Sequence, residues 1–97
     1  MNSDLYFYSS WIELTNVDEI KFGFRDTLEK SGHRIVGFAE HFFSPHGYTC
    51  VWLLAESHLA VHSFPENNML FFELCSCNRI KSDLFKELLE VRWKNSD

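Results

Sequence analysis

Three short turn-forming segments divide the middle of this chain into four stretches that are rich in apolar, aromatic and β-branched residues. The turns are Ser44-Pro45-His46-Gly47, a polar step at Glu56-Ser57-His58, and Pro65-Glu66-Asn67-Asn68. Proline and glycine supply backbone angles that tight turns need, and Ser and Asn bond to the nearby backbone. Short extended segments joined in this way pair with their neighbours in antiparallel fashion. The sequence therefore predicts an antiparallel-rich sheet.

Helical patterns flank these four stretches. Ile20, Phe24 and Leu28 recur every four residues, Thr15 or Asn16 can cap that helix, and Gly32 lies just past its end. The predicted elements are strand Leu5–Leu14, helix Val17–Lys30, strands Arg34–Phe43, Tyr48–Ala55, His58–Phe64 and Met69–Ser76, and helix Ser82–Trp93. The fold class is α+β, a two-layer α/β sandwich with helices on one face and the order β-α-β-β-β-β-α. With 97 residues, we expect a single domain over residues 1–97.

The aromatic content is high for so short a chain. It has ten Phe and three Trp, and 45% of its residues are hydrophobic. A domain of this size buries only roughly 60 to 65% of its unfolded surface, so its own core cannot hide every large ring. We therefore expect a homo-oligomer, most simply a homodimer, that buries the surplus in an interface.

Charge and patterning exclude several classes of partner. The net charge is −5 and the basic residues are scattered singly, so nucleic acid is not an expected partner. No apolar run approaches the roughly 20 residues that span a bilayer, and the N-terminus MNSDLYFY does not resemble a secretion signal, so no membrane partner is expected. The three cysteines, Cys50, Cys75 and Cys77, have no disulfide-scaffold spacing, which is typical of a reducing cytoplasmic compartment.

The segment Leu53 to Glu66, LLAESHLAVHSFPE, contains an unusual group of reactive side chains. In a strained turn the Ser57 hydroxyl can attack the carbonyl of Glu56, and a histidine such as His62 can carry the proton. The amide then becomes an ester, and β-elimination breaks the chain and leaves a ketoacyl group. The residues alone leave two other interpretations open. One is an ordinary polar turn, and the other is a metal site that uses His58, His62, Cys75 and Cys77.

The spacing of the two cysteines argues against the metal site. Structural zinc ligands are usually separated by two to four residues, whereas only one residue separates Cys75 from Cys77. No metal is therefore expected.

Three blocks of the chain resemble the prokaryotic S-adenosylmethionine decarboxylase family, whose proenzyme cuts itself to make a pyruvoyl cofactor. Glu56 to Glu66 is similar to the family motif Glu-Ser-His-x-x-x-His-Thr-x-Pro-Glu. Glu73 to Asn78 is similar to its acidic-apolar-aromatic-Thr-Cys-Gly segment, and His41 to Gly47 resembles the stretch that precedes its third strand. Differences occur at Ser63, where Thr is usual, at Cys75, where an aromatic residue is usual, and at Asn78, where Gly is usual.

The resemblance implies a role for each matching residue. Ser57 is the self-processing nucleophile and the precursor of the pyruvoyl cofactor, and Glu56 becomes the end of the N-terminal fragment. His62 and Thr49 assist processing, and Cys77 protonates the product carbon. The implied substrate-binding residues are Phe43, whose ring stacks on the substrate adenine, and Glu66.

The implied activity is decarboxylation of S-adenosylmethionine for polyamine synthesis. The pyruvoyl ketone condenses with the substrate amine and delocalises the electron pair that remains when carbon dioxide leaves. The acidic chain is consistent with a small cationic amino-acid substrate, but does not distinguish S-adenosylmethionine from arginine or ornithine. The other alternative is an uncleaved, non-catalytic homologue that binds a ligand or partner.

Overall fold

The computed structural model describes residues 4–93. It contains the seven predicted elements in the predicted order, so the α+β prediction is confirmed. Strands β1 to β5 are Tyr6–Ile12, Ile35–Phe42, Tyr48–Leu54, Ser57–Phe64 and Met69–Ser76. Helices α1 and α2 are Val17–Lys30 and Arg79–Arg92, and a 3-10 turn covers Pro65–Asn67.

The five strands form one sheet in the spatial order β1-β5-β4-β3-β2. Each neighbouring pair is antiparallel. Strand β4 is central, and its residues pair with β3 on one side and β5 on the other. His62, for example, lies opposite Thr49 on β3 and Phe71 on β5. The register shifts once, between Ile35 and Gly37 near the start of β2.

Both helices cover the same face of the sheet. Alternate residues of β3, β4 and β5 point toward them and are buried, as the two-residue period of a strand requires. At the centre of this layer Phe24 of α1 packs on Phe72 of β5, with ring centroids 5.4 Å apart. Neither ring is exposed, and burial of each stabilises the fold by about 1.5 to 3 kcal/mol. This layer is the hydrophobic core.

Asparagine side chains start both helices. The Asn16 side chain accepts a hydrogen bond from the Glu19 backbone N–H, which agrees with the predicted cap. Asn78 caps α2 in the same way by accepting from the Lys81 N–H. Helix α2 therefore begins at Arg79, and the predicted start at Ser82 is three residues late. The apolar periodicity becomes visible only from Leu84, because the first turn of α2 has three polar residues and an Ile80 that is exposed.

The opposite face of the sheet carries no helix within the described residues. Phe7, Trp11 and Leu53 lie on it with 64%, 45% and 54% of their surfaces exposed. We call this side of the sheet, formed by the outward-pointing residues of the five strands, the open face. In residues 4–93, neither helix has the length and apolar character needed to cross a membrane.

Candidate active site

The turn between β3 and β4 holds the predicted scissile bond. Leu54 pairs with Ser57, so Ala55 and Glu56 alone connect the two strands. Glu56 has φ = +65°, in the left-handed region that residues with a Cβ seldom adopt. This conformation costs a non-glycine residue about 1 to 2 kcal/mol. The peptide link that precedes Ser57 is therefore held by a residue in a strained conformation, as attack by a neighbouring hydroxyl would favour.

Cys77 lies at the same end of the sheet as Ser57. His58 pairs with Cys75, and one step further along this register Ser57 is level with Ser76, the last residue of β5. Cys77 follows directly and is exposed. The structure thus places three of the residues predicted from the sequence, namely Glu56, Ser57 and Cys77, at this end of the sheet. We call them the serine group.

The other predicted residues meet at the opposite end of the sheet. Thr49 Oγ1 and His62 Nδ1 are 3.1 Å apart and form a hydrogen bond between β3 and β4. Both line a concave pocket of about 320 Å³, together with Phe43 and Glu66. We call Phe43, Thr49, His62 and Glu66 the histidine group.

Two local contacts order the edge of this pocket. The Phe43 backbone N–H donates to the Gly47 carbonyl at 2.8 Å and closes the predicted Ser44–Gly47 turn. Half of the Phe43 surface is exposed, and the His41 ring packs against it with centroids 4.5 Å apart. His46 Nε2 lies 3.4 Å from Glu66 Oε1 and holds that carboxylate at the mouth of the pocket.

The serine group and the histidine group do not meet within one chain. Ser57 and His62 are five residues apart on β4, which is about 16 Å along an extended strand. Their side chains also point to opposite faces, because five is an odd number of steps. A hydroxyl and its proton carrier need to be about 3 Å apart, so His62 does not act on Ser57 of the same protomer in this conformation.

The geometry also separates the side chains of the alternative metal site. His58 and Cys75 are cross-strand partners, but His62 lies about 13 Å further along β4. Zinc needs its ligand atoms within about 2.3 Å of the ion, so His58 and His62 cannot share one. Among residues 4–93, no three His, Cys, Asp or Glu side chains are grouped so as to hold a metal ion.

The three thiols lie in different surroundings. Cys50 is buried, and desolvation raises its pKa to about 12. Burial also raises the pKa of Cys75, and the nearby Glu73 carboxylate adds to that shift. Cys77 alone of the three is exposed. Among the cysteines, the one implied as a proton donor is thus the one that a ligand can reach.

Two features near the site were not singled out from the sequence. Phe7 on β1 pairs with Cys75 and projects from the open face close to the serine group. The alternation of Phe7, Ser9 and Trp11 in the first strand is the signal that could have marked it. His33 is bonded to Ser76 beneath the serine group, but the two residues are 43 positions apart and no sequence pattern links them.

Known proteins match this chain over most of its length. The family model described as S-adenosylmethionine decarboxylase matches residues 4–97. The S-adenosylmethionine decarboxylase proenzyme of Geobacillus kaustophilus (strain HTA426) is 35% identical over 88 residues, covering 87% of this chain and 71% of that protein. The proenzyme of Anoxybacillus flavithermus (strain DSM 21510 / WK1) has the same identity and coverage.

A solved structure has the same fold. The crystal structure of the adenosylmethionine decarboxylase from Aquifex aeolicus VF5 superposes with a TM-score of 0.78, covering 96% of this chain and 82% of that one, at 18% identity. The five-stranded sheet with two helices on one face therefore defines an α+β protein with the fold of that structure. From the extent of the sequence match, the chain belongs to the S-adenosylmethionine decarboxylase family.

The exposure of the cysteines leads to a labelling prediction. In the folded protein near neutral pH, iodoacetamide should alkylate Cys77 at least about tenfold faster than Cys50 or Cys75, because the thiolate is the reactive form and burial disfavours it. Peptide mapping by mass spectrometry measures each rate, and the urea-unfolded chain is the control in which all three react. Equal labelling of Cys75 and Cys77 in the folded protein would contradict the described burial.

Proposed function

We propose that this chain is a proenzyme that cuts itself between Glu56 and Ser57 and then decarboxylates S-adenosylmethionine with a pyruvoyl group formed from Ser57. The observation that carries the proposal is the strained Glu56 in a two-residue turn directly before a serine. Membership of the decarboxylase family, and the word proenzyme in the names of the relatives, support it.

The cleavage chemistry begins with the turn. The Ser57 hydroxyl attacks the Glu56 carbonyl carbon, and the amide nitrogen leaves, so the amide becomes an ester. β-Elimination then breaks the ester Cβ–O bond, releases the Glu56 carboxylate and leaves a double bond at residue 57. Addition of water and loss of ammonia convert residue 57 to a ketone. These steps need a proton carrier near the hydroxyl, and Thr49 and His62 are the residues proposed for this work.

When formed, the pyruvoyl group supplies an electron-accepting ketone for the carbon that loses carbon dioxide. The residues nearby fit such a group, because residue 57 starts β4 at the end of the sheet and Cys77 follows the last residue of β5 at the same end. Cys77 is the proposed acid that delivers a proton to the substrate α-carbon. Its exposure allows it to reach a ligand there.

The separation of the two groups supports a homodimer. Suppose that two copies stack their open faces about a twofold axis that lies between the sheets and runs across the strands. The Ser57 end of each sheet then lies over the His62 end of the other, and stacked sheets are only about 10 Å apart. The serine group of one protomer and the histidine group of its partner would then adjoin, and the dimer would contain two such sites. Because the Ser57 side chain starts on the helix side, the turn at Ala55 and Glu56 has to rotate the hydroxyl toward the open face before the partner's His62 can act on it.

The composition of the open face is consistent with this packing. Phe7, Trp11 and Leu53 are large apolar residues that no helix covers in the described part of the chain. Trp11 and Phe71 pack side by side, with ring centroids 5.2 Å apart, and extend the apolar surface across β1 and β5. Covering such a surface with a second copy of itself removes it from water.

The histidine group fits recognition of a nucleoside-type cation. The half-exposed Phe43 ring can stack on a flat base, and the Glu66 carboxylate can accept hydrogen bonds from sugar hydroxyls or attract a positive charge. S-adenosylmethionine offers all of these features. Arginine and ornithine have the charge but no base for Phe43.

Self-cleavage gives the direct test of this function. Intact-mass spectrometry of the purified protein should show one fragment ending at Glu56 and another beginning with a blocked residue 57. Ser57→Ala should remain one chain, and His62→Ala should cut at least about 100-fold more slowly, since a lost general acid–base group typically costs that much. Ser10→Ala, in a strand outside both groups, is the matched control and should cut normally.

The cleaved protein should release carbon dioxide from S-adenosylmethionine faster than from arginine or ornithine. Faster release from either of these amino acids would overturn the substrate assignment. A chain that stays intact on prolonged incubation, with Ser57→Ala indistinguishable from it, would contradict the proposed function itself.

A charged residue introduced on the open face tests whether that face forms the dimer interface. Leu53→Glu places a carboxylate where the two sheets would pack, so it should produce monomers in sedimentation velocity and slow self-cleavage at least about tenfold. Val91→Glu makes the same kind of change at an 87% exposed position on α2 and should behave as wild type. A Leu53→Glu protein that dimerises and cuts normally would rule out this interface.

A further inference from the structure

We propose that His33 is a positioning residue for Cys77, acting through Ser76 to hold the turn that carries the thiol. The inference rests on the function proposed above, in which Cys77 donates the proton. His33 lies between the end of α1 and the start of β2, on the helix side of the sheet and beneath the serine group. It belongs to none of the three blocks that carried the family resemblance.

His33 is the centre of a buried chain of hydrogen bonds. Its Nδ1 lies 2.8 Å from Ser31 Oγ and its Nε2 lies 3.0 Å from Ser76 Oγ. Only 6% of His33 and 2% of Ser31 are exposed, and Ser76 is fully buried. The imidazole therefore links the C-terminal cap of α1 to the last residue of β5, away from competing water.

The hydrogen bonds can be satisfied with a neutral imidazole. With the proton on Nδ1, His33 donates to Ser31 while Ser31 donates to the Leu28 carbonyl, and Ser76 donates to Nε2. Burial lowers the pKa of His33, and the charge of nearby Lys81 lowers it further. A buried imidazole that is hydrogen-bonded through both nitrogens has a fixed orientation, because breaking either bond leaves a buried polar atom without a hydrogen-bond partner.

Ser76 passes this restraint to the turn that contains Cys77. Ser76 Oγ accepts from the Asn78 N–H at 3.2 Å, and the Asn78 carbonyl oxygen at 3.1 Å is an alternative acceptor to His33 Nε2 for its one hydroxyl proton. Asn78 is also the N-cap of α2, where its side chain accepts from Lys81 N–H at 2.9 Å. Cys77 is thus the single residue between two anchored neighbours. Its side chain is exposed while the backbone on both sides is fixed.

Fixing this thiol matters because two carbons compete for its proton in the proposed reaction. Protonation of the substrate α-carbon gives the amine product. If residue 57 were protonated instead, it would keep the substrate nitrogen and become an alanine, and the substrate would leave as an aldehyde and carbon dioxide. The atoms balance without another reactant, but the chain is inactivated. A misplacement of about 1 Å can change such a selectivity up to 100-fold.

The test measures which carbon is protonated. His33→Phe keeps a ring against Phe85, with which His33 makes an edge contact at 6.2 Å, but it cannot bond Ser31 or Ser76. Ser76→Ala removes the link to Asn78. Both variants should self-cleave within about twofold of wild type, yet accumulate alanine at residue 57 at least about tenfold faster per turnover, as measured by mass spectrometry. Ser76→Thr retains the hydroxyl and should behave as wild type.

A second readout does not depend on turnover. In the uncleaved Ser57→Ala chain, amide exchange of Asn78 followed by NMR should speed up about tenfold with Ser76→Ala and severalfold with His33→Phe, because the acceptor is lost or loosened. The Glu19 amide is the internal control, since Asn16 caps α1 in the same way at a site without the His33 contact.

The outcomes separate this inference from the proposed function. If the wild-type chain neither cuts nor releases carbon dioxide, the proposed function fails while the exchange experiment still tests the His33 restraint. Suppose instead that the wild-type chain is active. If His33→Phe then forms alanine at residue 57 no faster than wild type, and its Asn78 amide exchanges at the wild-type rate, the positioning role is wrong. A His33→Phe chain whose cleavage and urea stability fall together, with unchanged product partition, would show that His33 is only structural.

Discussion

The positions of all the candidate site residues depend on strand β4, which pairs with a neighbour on each side along its length. Ser57 is the first residue of β4, and His62 lies five residues further along it. Because β4 is paired on both sides, it is held extended and does not bring the two residues together. Hydrogen bonds to β3 and β5 on both sides fix the roughly 16 Å between them. A serine and a histidine that are close in the sequence are therefore far apart along β4, and they point to opposite faces of the sheet.

The two faces of the sheet contribute differently to the protein. The helix side holds the core, where Phe24 and Phe72 are fully buried. The hydrogen bonds of His33 also lie on this side, and they connect to the turn that contains Cys77 through Ser76. The open face displays apolar side chains and His62. Stability is thus supplied from one side of the sheet, and the chemistry that we propose requires a second copy on the other.

Much of this molecule could be predicted from the sequence. The turns around Gly47 and Asn68 and the four-residue period of α1 were sufficient for the order of elements, because turn chemistry and hydrophobic periodicity are local. The start of α2 is not predicted, because its first turn has three polar residues and an exposed Ile80, and the apolar period begins only after them.

The site was predicted as a set of residues, but its geometry was not. The sequence motif predicts that Ser57 and His62 belong to one site. The pairing of the strands shows that they are far apart within one chain. Contacts between distant parts of the chain, such as His33 to Ser76, arise from packing and leave no pattern in the sequence. The left-handed conformation of Glu56, with φ = +65°, likewise follows from how β3 and β4 pair, and no sequence pattern specifies it.

The central claim is that Ser57 of one protomer is processed with the help of His62 from its partner. Co-expression of a tagged Ser57→Ala chain with a His62→Ala chain tests it most directly, because each homodimer lacks one group while a mixed dimer has one complete site. Intact-mass spectrometry should show that about half of the His62→Ala chains are cut, as random pairing allows, and that Ser57→Ala is never cut. An uncut mixture, despite mixed dimers captured through the tag, would contradict the account.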